Sequence, residues 1–246
     1  MRNIKITIEY DGSRYSGWQR LGKGESENTI ENKLLEVIKK MTEEVVELNC
    51  GSRTEVGVHA YAQIANFKTK SDMKLYEIKN YFNRYLPMDI AVIAVEEMPE
   101  RFHASLNANS KTYLYRIAIG DVPCVFDRKY TYYCFHKPDI ELMKKAAEQL
   151  IGTHDFKDFS SVKRSKSTIK EIYSIDFKQD MKEIRITIKA NDFLHNMARM
   201  LVSTLIEIGL GKRKMEDIEA IFDSESNEEG SPSADAQGLF LKEIEY

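Results

Sequence analysis

The chain has 246 residues, of which 42% are hydrophobic and 30% are charged, enough for one large or two small domains with a real core. Its formal net charge of −3 counts against a nucleic-acid-binding protein, because such domains are usually basic. No stretch resembles a membrane span or a signal peptide, so we expect a soluble, cytoplasmic protein.

The first half of the chain predicts the element order β-α-β-β-α-β. The strands are predicted at residues 2–10, 46–50, 58–68 and 90–97. The first helix follows Asn28, which with Glu31 resembles a capping box. Apolar residues at helical spacing mark the second helix, which must stop before Pro87.

The second half predicts the same order. Its strands are expected at residues 111–119, 168–178, 184–190 and 238–246, and its helices at 138–152, 193–210 and about 214–222. The fold class predicted is therefore α+β, with two ferredoxin-like halves whose antiparallel sheets join around a central cleft. We place the two domains at residues 1–105 and 106–246. A cleft between two sheets is a natural ligand site.

The charge is distributed unevenly, which weakens the argument from net charge. Basic residues cluster between 157 and 170, whereas residues 216–229 are strongly acidic. Without the acidic segment the chain is moderately basic, so the distribution of charge is a better guide to the partner than its total.

Two polar loops contain residues that a hydrophobic core does not require. The first follows Tyr10 and contains Arg14, Trp18, Gln19 and Arg20, and a loop with arginines and an aromatic residue is typical of a nucleic-acid surface. The second, residues 51–60, places Arg53 two positions before Glu55, where an arginine can orient a carboxylate and keep it ionised. The alternatives are a loop packed around its single tryptophan and a hairpin with a surface ion pair.

Two further segments combine aromatic, polar and basic residues. Tyr113 and Tyr115 point to the same side of a strand, where one could stack on a base, or both could be core residues. In the helix predicted at 193–210, Arg199 lies next to an apolar face. A basic residue there usually extends outward unless a carboxylate in a cleft pairs with it.

Several common sites are missing from the sequence. The three cysteines, Cys50, Cys124 and Cys134, are odd in number and lack metal-ligand spacing, so we expect free thiols in a reducing cytosol. There is no phosphate loop of the P-loop or dinucleotide type and no nucleophile-elbow serine. The sequence therefore predicts neither a metal nor an organic cofactor.

Taken together and in order, the polar segments resemble the TruA family of tRNA pseudouridine synthases. The loop Ser52-Arg53-Thr54-Glu55-Val56-Gly57-Val58-His59-Ala60 resembles the family signature Gly-Arg-Thr-Asp-x-Gly-Val-His-Ala. The other matching segments are Tyr10–Gly12, Gly17–Gln19, Leu86-Pro87, Phe102–Ala104, Gly152–Phe156, Phe193-Leu194, Asn196–Arg199 and Gly238-Leu239. The resemblance therefore spans essentially the whole chain.

The resemblance implies a pseudouridine synthase fold and a function. Such enzymes isomerise uridine in tRNA, in the 3′ part of the anticodon stem-loop, after the base has left its stack. They use no cofactor and are typically homodimers. Glu55 corresponds to the family's catalytic aspartate and is the predicted nucleophile. Arg53 helps to place the RNA, Tyr113 stacks on the uracil and accepts a proton, and Arg199 pairs with the carboxylate.

Six residues are predicted to contact RNA or the target base: Arg14, Trp18, Gln19, Arg20, His59 and Leu239. For His59 a purely structural role is the alternative. Leu239 is the apolar wall against the base.

The main departure from the family pattern is glutamate in place of aspartate at position 55. The extra methylene moves a carboxylate by roughly 1.5 Å, and an error of about 1 Å can cost on the order of 10²-fold in rate. Lys111 stands where arginine is usual, and Asp192 where glycine is usual. The alternative hypothesis is therefore a catalytically impaired paralogue that binds or chaperones tRNA or rRNA without isomerising it.

Overall fold

The computed structural model describes residues 1–19, 24, 26–161, 167–222 and 232–246. These residues form two compact units, Met1–Asn109 with Phe240–Tyr246, and Ser110–Leu239. The sequence-based division differs at the C-terminus, where residues 240–246 belong with the first unit. The reason is packing: the Phe240 ring stacks on His59 and Tyr61, with centroid distances of 4.7 and 4.8 Å.

The first unit has the predicted order β-α-β-β-α-β. Its elements are β1 (Arg2–Tyr10), α1 (Ile30–Thr42), β2 (Leu48–Cys50), β3 (His59–Thr69), α2 (Leu75–Tyr85) and β4 (Ile90–Met98). Strand β1 is antiparallel to both β3 and β4. The other edge of β3 pairs with β2 at residues 65–67 and with the C-terminal strand β10 (Leu239–Glu245) at residues 59–60. The predicted α+β class is confirmed, and the pairing in this unit is antiparallel as predicted except between β10 and β3, which run parallel.

The core of the first unit follows from alternation in β1. Ile4, Ile6 and Ile8 are fully buried, as are Leu34 of α1 and Phe82 of α2. The three isoleucines lie on one face because residues two apart in a strand share a face, and the Phe82 ring lies 6.4 Å from the ring of Phe67 on the neighbouring β3. The helices therefore cover one face of the sheet.

One expectation about α1 was wrong in detail. Its N-cap is Thr29, not Asn28, and the Thr29 hydroxyl accepts a hydrogen bond from the Asn32 N–H at 3.3 Å. The Asn28 side chain instead donates to the Arg14 carbonyl at 2.8 Å, so it ties the preceding loop to the start of the helix.

The second unit contains three of the four strands predicted for the second half, the three predicted helices and two short strands that were not predicted, whereas the fourth predicted strand is β10, which pairs in the first unit. Its elements are β5 (Ser110–Ile119), β6 (Tyr132–Cys134), α3 (Ile140–Glu148), β7 (Gly152–Asp155), β8 (Ile169–Gln179), β9 (Glu183–Ala190), α4 (Met197–Gly209) and α5 (Asp217–Phe222). Strands β5, β9, β8 and β7 pair antiparallel in that order, and β6 runs parallel beside β5. Strands β6 and β7 are too short to show a hydrophobic period.

Two helix boundaries in the second unit differ from prediction. Helix α3 starts at Ile140 because the Asp139 carboxylate caps it, accepting hydrogen bonds from the N–H groups of Glu141 and Leu142. Helix α4 starts at Met197 rather than at residue 193, because Asn196 has a left-handed backbone with φ 62°. None of the helices within the described ranges is long and apolar enough to cross a membrane.

Candidate active site

The loop between β2 and β3 carries Arg53 and Glu55, and buried polar contacts fix its backbone. The Gln63 side chain accepts from the Ser52 N–H at 3.2 Å and donates to the Ser52 carbonyl. The Thr54 and Tyr10 hydroxyls are 2.6 Å apart. Both Gln63 and Tyr10 lie on the core face of the sheet, so the strands set the position of this loop.

The loop after β1 packs directly against the Glu55 loop. The backbone N–H of Trp18 donates to the Thr54 carbonyl at 2.9 Å. Gly17 has φ +84°, and a Cβ there would lie 2.9 Å from the Thr54 oxygen. A Cβ on Gly12 would overlap the Val58 carbonyl oxygen. Both glycines are therefore required by the close approach of the two loops.

Glu55 is placed differently from its neighbours in the loop. Thr54 and Val58 are buried, whereas Glu55 is half-buried and Arg53 is exposed. The Glu55 carbonyl accepts from the Val58 N–H at 3.2 Å, which closes a turn. The Arg53 side chain of the loop acts on Glu31 of α1: burial raises the pKa of the Glu31 carboxyl, and the positive charge of Arg53 opposes that rise. The loop thus presents a carboxylate from a backbone anchored on both sides.

Trp18 and His59 are core residues of the first unit, which differs from their predicted contact with RNA. Trp18 is 0% exposed and its ring lies 6.3 Å from that of Tyr10. His59 is 1% exposed, and its Nδ1 accepts from the Gly12 N–H at 3.1 Å. For each, the structural alternative fits this placement, because the side chain holds the loop after β1 against β3.

The remaining predicted RNA contacts of the first unit lie at its surface or outside the described residues. The Arg14 side chain is 69% exposed, and its Nε donates to the Asp89 carboxylate at 2.9 Å. Asp89 also accepts from the Tyr15 hydroxyl at 2.6 Å, a partnership that no sequence motif indicates. Gln19 is half-buried, and Arg20 lies outside the described residues.

In the second unit, Tyr113 and Tyr115 lie on the same side of β5, as predicted, but in different surroundings. Tyr113 is 6% exposed and meets Phe193 edge-on, with ring centroids 4.9 Å apart. The Tyr115 hydroxyl donates to the Asp235 carbonyl at 2.8 Å, and burial raises the pKa of Tyr115. Tyr115 is therefore a core residue.

Arg199 and Leu239 are both held within the second unit. Arg199 is half-buried on α4, and its Nε donates to the Ala234 carbonyl at 2.6 Å. Its Nη1 donates to the Asn196 side-chain oxygen at 3.2 Å. Leu239 is 4% exposed, and the preceding Gly238 packs closely on the Tyr115 ring.

Lys111 and Asp192, noted from the sequence as separate departures from the family pattern, are partners in the structure. Lys111 Nζ lies 2.6 Å from one carboxylate oxygen of Asp192, and Lys170 Nζ lies 3.1 Å from the other. Asp192 directly precedes Phe193, so this cluster fixes the connection that supports Tyr113. The negative charge of Asp192 is therefore paired with two positive charges in this chain.

Comparisons with known proteins point to a single family. A family model described as tRNA pseudouridine synthase matches residues 6–106 and 146–246. A Bacillus anthracis protein named tRNA pseudouridine synthase A 2 is 41% identical over 247 residues, covering 100% of each chain. A Bacillus sp. (strain KSM-64) protein named tRNA pseudouridine synthase A is 42% identical, again over 100% of each chain.

A relative from another genus is similar over the same extent of the chain. A Clostridium perfringens (strain 13 / Type A) protein named tRNA pseudouridine synthase A 2 is 41% identical, covering 100% of both chains. Among solved structures, a Cbf5-Nop10-Gar1 complex matches 82% of this chain and 45% of its own, at 10% identity and a TM-score of 0.32, which is too weak to support an inference. On the family model and the full-length relatives, the chain belongs to the TruA family of tRNA pseudouridine synthases.

Proposed function

We propose that this protein is an isomerase that converts uridine to pseudouridine in the anticodon stem-loop of tRNA, with Glu55 as its nucleophile. The observation that carries the proposal is the Glu55 loop, which presents one half-buried carboxylate from a backbone fixed by Gln63, Tyr10 and Trp18. Rigid presentation of a nucleophile is what covalent catalysis requires.

The reaction breaks the bond from the ribose to the uracil nitrogen and forms a bond from the ribose to a uracil carbon. The carboxylate of Glu55 attacks the ribose or the base and is released when the new bond forms. The target base leaves its stack to reach the site. One proton must then leave the carbon that has joined the ribose, and one proton must be taken up by the ring nitrogen that has left it. Tyr113 is our candidate to accept the first.

The other assignments follow from residue chemistry. Arg199 is our candidate to pair with the nucleophilic carboxylate, because a guanidinium forms directed hydrogen bonds to a carboxylate. Leu239 supplies an apolar wall for the base, and Arg53 helps to place the RNA. Arg14, Gln19 and Arg20 contact the RNA backbone or bases near the loop after β1. We further propose that the protein acts in the cytoplasm as a homodimer, with no metal or organic cofactor.

The length of Glu55 is the critical feature of the site. Because Ser52, Thr54 and Val58 are anchored, the loop backbone has little freedom to absorb an extra methylene. The carboxylate therefore sits roughly 1.5 Å farther from the backbone than an aspartate would place it. We propose that the substrate position in this protein matches the longer side chain.

The test is pseudouridine formation by the purified protein on unmodified tRNA transcripts. Glu55→Gln should abolish product because the amide is not a nucleophile, whereas Glu47→Gln, at an exposed glutamate before β2, should leave the rate unchanged. Glu55→Asp should be slower than the parent. A parent without activity and an active Glu55→Asp variant would instead support the alternative of an impaired RNA-binding paralogue.

A further inference from the structure

The backbone of Asn196 is unusual for its position at the start of α4. Its φ of 62° and ψ of 0° are left-handed, and within the described ranges Glu43 is the other non-glycine residue with positive φ. Glu43 ends α1, where this conformation is common. Asn196 is an N-cap, where an extended backbone is usual and the side chain accepts a hydrogen bond from the first turn.

The Asn196 side chain does not cap its helix. Its Nδ2 donates to the Ser161 hydroxyl at 2.9 Å, and its Oδ1 accepts from Arg199 Nη1 at 3.2 Å. Asparagine tolerates this backbone better than most residues, but at an N-cap it replaces the usual capping bond, so the conformation is held by the surroundings. Left-handed non-glycine residues also cluster at functional sites. The amide thus connects the Ser161 segment to the Arg199 guanidinium.

Both ends of this connection are fixed. The Ser161 hydroxyl lies 2.6 Å from His195 Nδ1, and the Ser160 hydroxyl donates to the His195 carbonyl at 3.0 Å. At the other end, Arg199 Nε donates to the Ala234 carbonyl at 2.6 Å. Because the bonds at Nε and Nη1 use two different nitrogens of a planar group, they fix both the position and the rotation of the guanidinium.

We propose that Asn196 is a positioning residue for Arg199, and that its left-handed backbone serves to direct its amide between Ser161 and the guanidinium. The inference rests on the proposed function, in which Arg199 acts on the catalytic carboxylate. Loss of the amide lets the guanidinium rotate about its anchor at Ala234. An error of about 1 Å in such a group lowers the rate by up to about 10²-fold.

The test is Asn196→Gly in the full-length protein, with Glu43→Gly as the matched control. Glycine adopts positive φ without steric cost, so both variants should fold, with Tm within about 3 °C of the parent. Asn196→Gly should lower kcat about 10- to 100-fold and leave KM within about threefold, because positioning acts on the chemical step. Glu43→Gly should leave both constants unchanged.

A conservative variant separates the acceptor from the rest of the side chain. Asn196→Asp keeps an oxygen that can accept from Arg199 Nη1, so it should recover kcat to within about fivefold of the parent. Loss of kcat equal to that of Asn196→Gly would overturn the role assigned to this oxygen.

A second readout does not depend on activity. The Nη–H signal of Arg199 in a ¹⁵N NMR spectrum, identified by its loss in Arg199→Lys, should shift and exchange faster with water in Asn196→Gly but not in Glu43→Gly, because Nη1 loses its acceptor while Nε keeps the Ala234 carbonyl. An unchanged signal in Asn196→Gly overturns the positioning role. If the parent makes no pseudouridine, the proposed function fails while this spectrum still decides the role of Asn196.

Discussion

Replacing Asp192 by asparagine tests the ionic cluster that supports the connection between β9 and α4. Asp192 accepts from Lys111 at 2.6 Å and from Lys170 at 3.1 Å, and the two lysine side chains are 11% and 14% exposed. The amide removes the negative charge and leaves two poorly solvated ammonium groups close together. The variant should therefore be less stable than the parent.

The expected loss of stability depends on how far the Asp192 side chain is exposed to solvent. A hydrogen bond to a charged group contributes about 1.5–3 kcal/mol, but the Asp192 side chain is 43% exposed and solvent screens it. Asparagine also retains one acceptor. We therefore expect a loss of about 1–2 kcal/mol at pH 7, which lowers the Tm by about 3–8 °C.

The pH dependence distinguishes charge from packing. Burial raises the pKa of Asp192, but the adjacent Lys111 and Lys170 lower it by more, so the pKa lies below its usual value. A carboxyl with a lowered native pKa contributes its full stability above its unfolded-state pKa of about 3.9, and that stability is lost as the pH falls through the native pKa. The difference in Tm should therefore be full at pH 7 and shrink below about pH 4.

Thermal unfolding followed by circular dichroism at pH 7 and pH 3 measures this difference. Asp176→Asn is the control, because Asp176 is an exposed carboxylate on β8 of the same unit. The reasoning is refuted if Asp192→Asn lowers the Tm equally at both pH values, or no more than Asp176→Asn does at pH 7.

Two further predictions concern the loop after β1. Gly12→Ala should destabilise the protein by about 3 kcal/mol or more, because the new methyl group overlaps the Val58 carbonyl oxygen. Urea unfolding measures this loss, and a loss below about 1 kcal/mol would contradict the close approach of the loops. Arg14→Gln should leave the Tm unchanged but weaken binding to a tRNA transcript, and it should reduce the slope of log K against log salt by about 0.7–0.9. The control Lys39→Gln, at an exposed position of α1, should leave both the affinity and the slope unchanged. An unaltered salt slope in Arg14→Gln would remove this residue from the proposed RNA surface.

The strands and helices with strong periodicity were predictable from the sequence. The alternation of β1 and the spacing of α2, together with Pro87, placed both elements close to their observed bounds. The motifs around Glu55 predict a site at this loop, because glycines and polar residues in an otherwise apolar pattern indicate special backbone geometry, and the roles of its residues stay predictions.

Contacts between residues distant in the chain could not be predicted. Trp18 and His59 stand in polar motifs, yet both are buried, because burial depends on which loop packs over which strand. The pairing of Lys111 with Asp192 required knowledge of how β5 and β9 pair. The left-handed backbone of Asn196 could not be predicted, because residues 193–210 have helical periodicity from the first position. The start of the helix at Met197 is evident only from the backbone of Asn196 and its hydrogen bonds to Ser161 and Arg199.

The return of the C-terminal strand to the first unit has a consequence for biosynthesis. Phe240 and Leu241 pair with His59 and Ala60, the first residues after the Glu55 loop, and the Tyr246 hydroxyl donates to the Ala104 carbonyl at 2.8 Å. The whole second unit separates these partners in the chain. A nascent chain on the ribosome therefore leaves the edge of β3 unpaired at His59 and Ala60 until β10 emerges. A chain that terminates before β10 lacks the strand that pairs with β3 directly after the Glu55 loop.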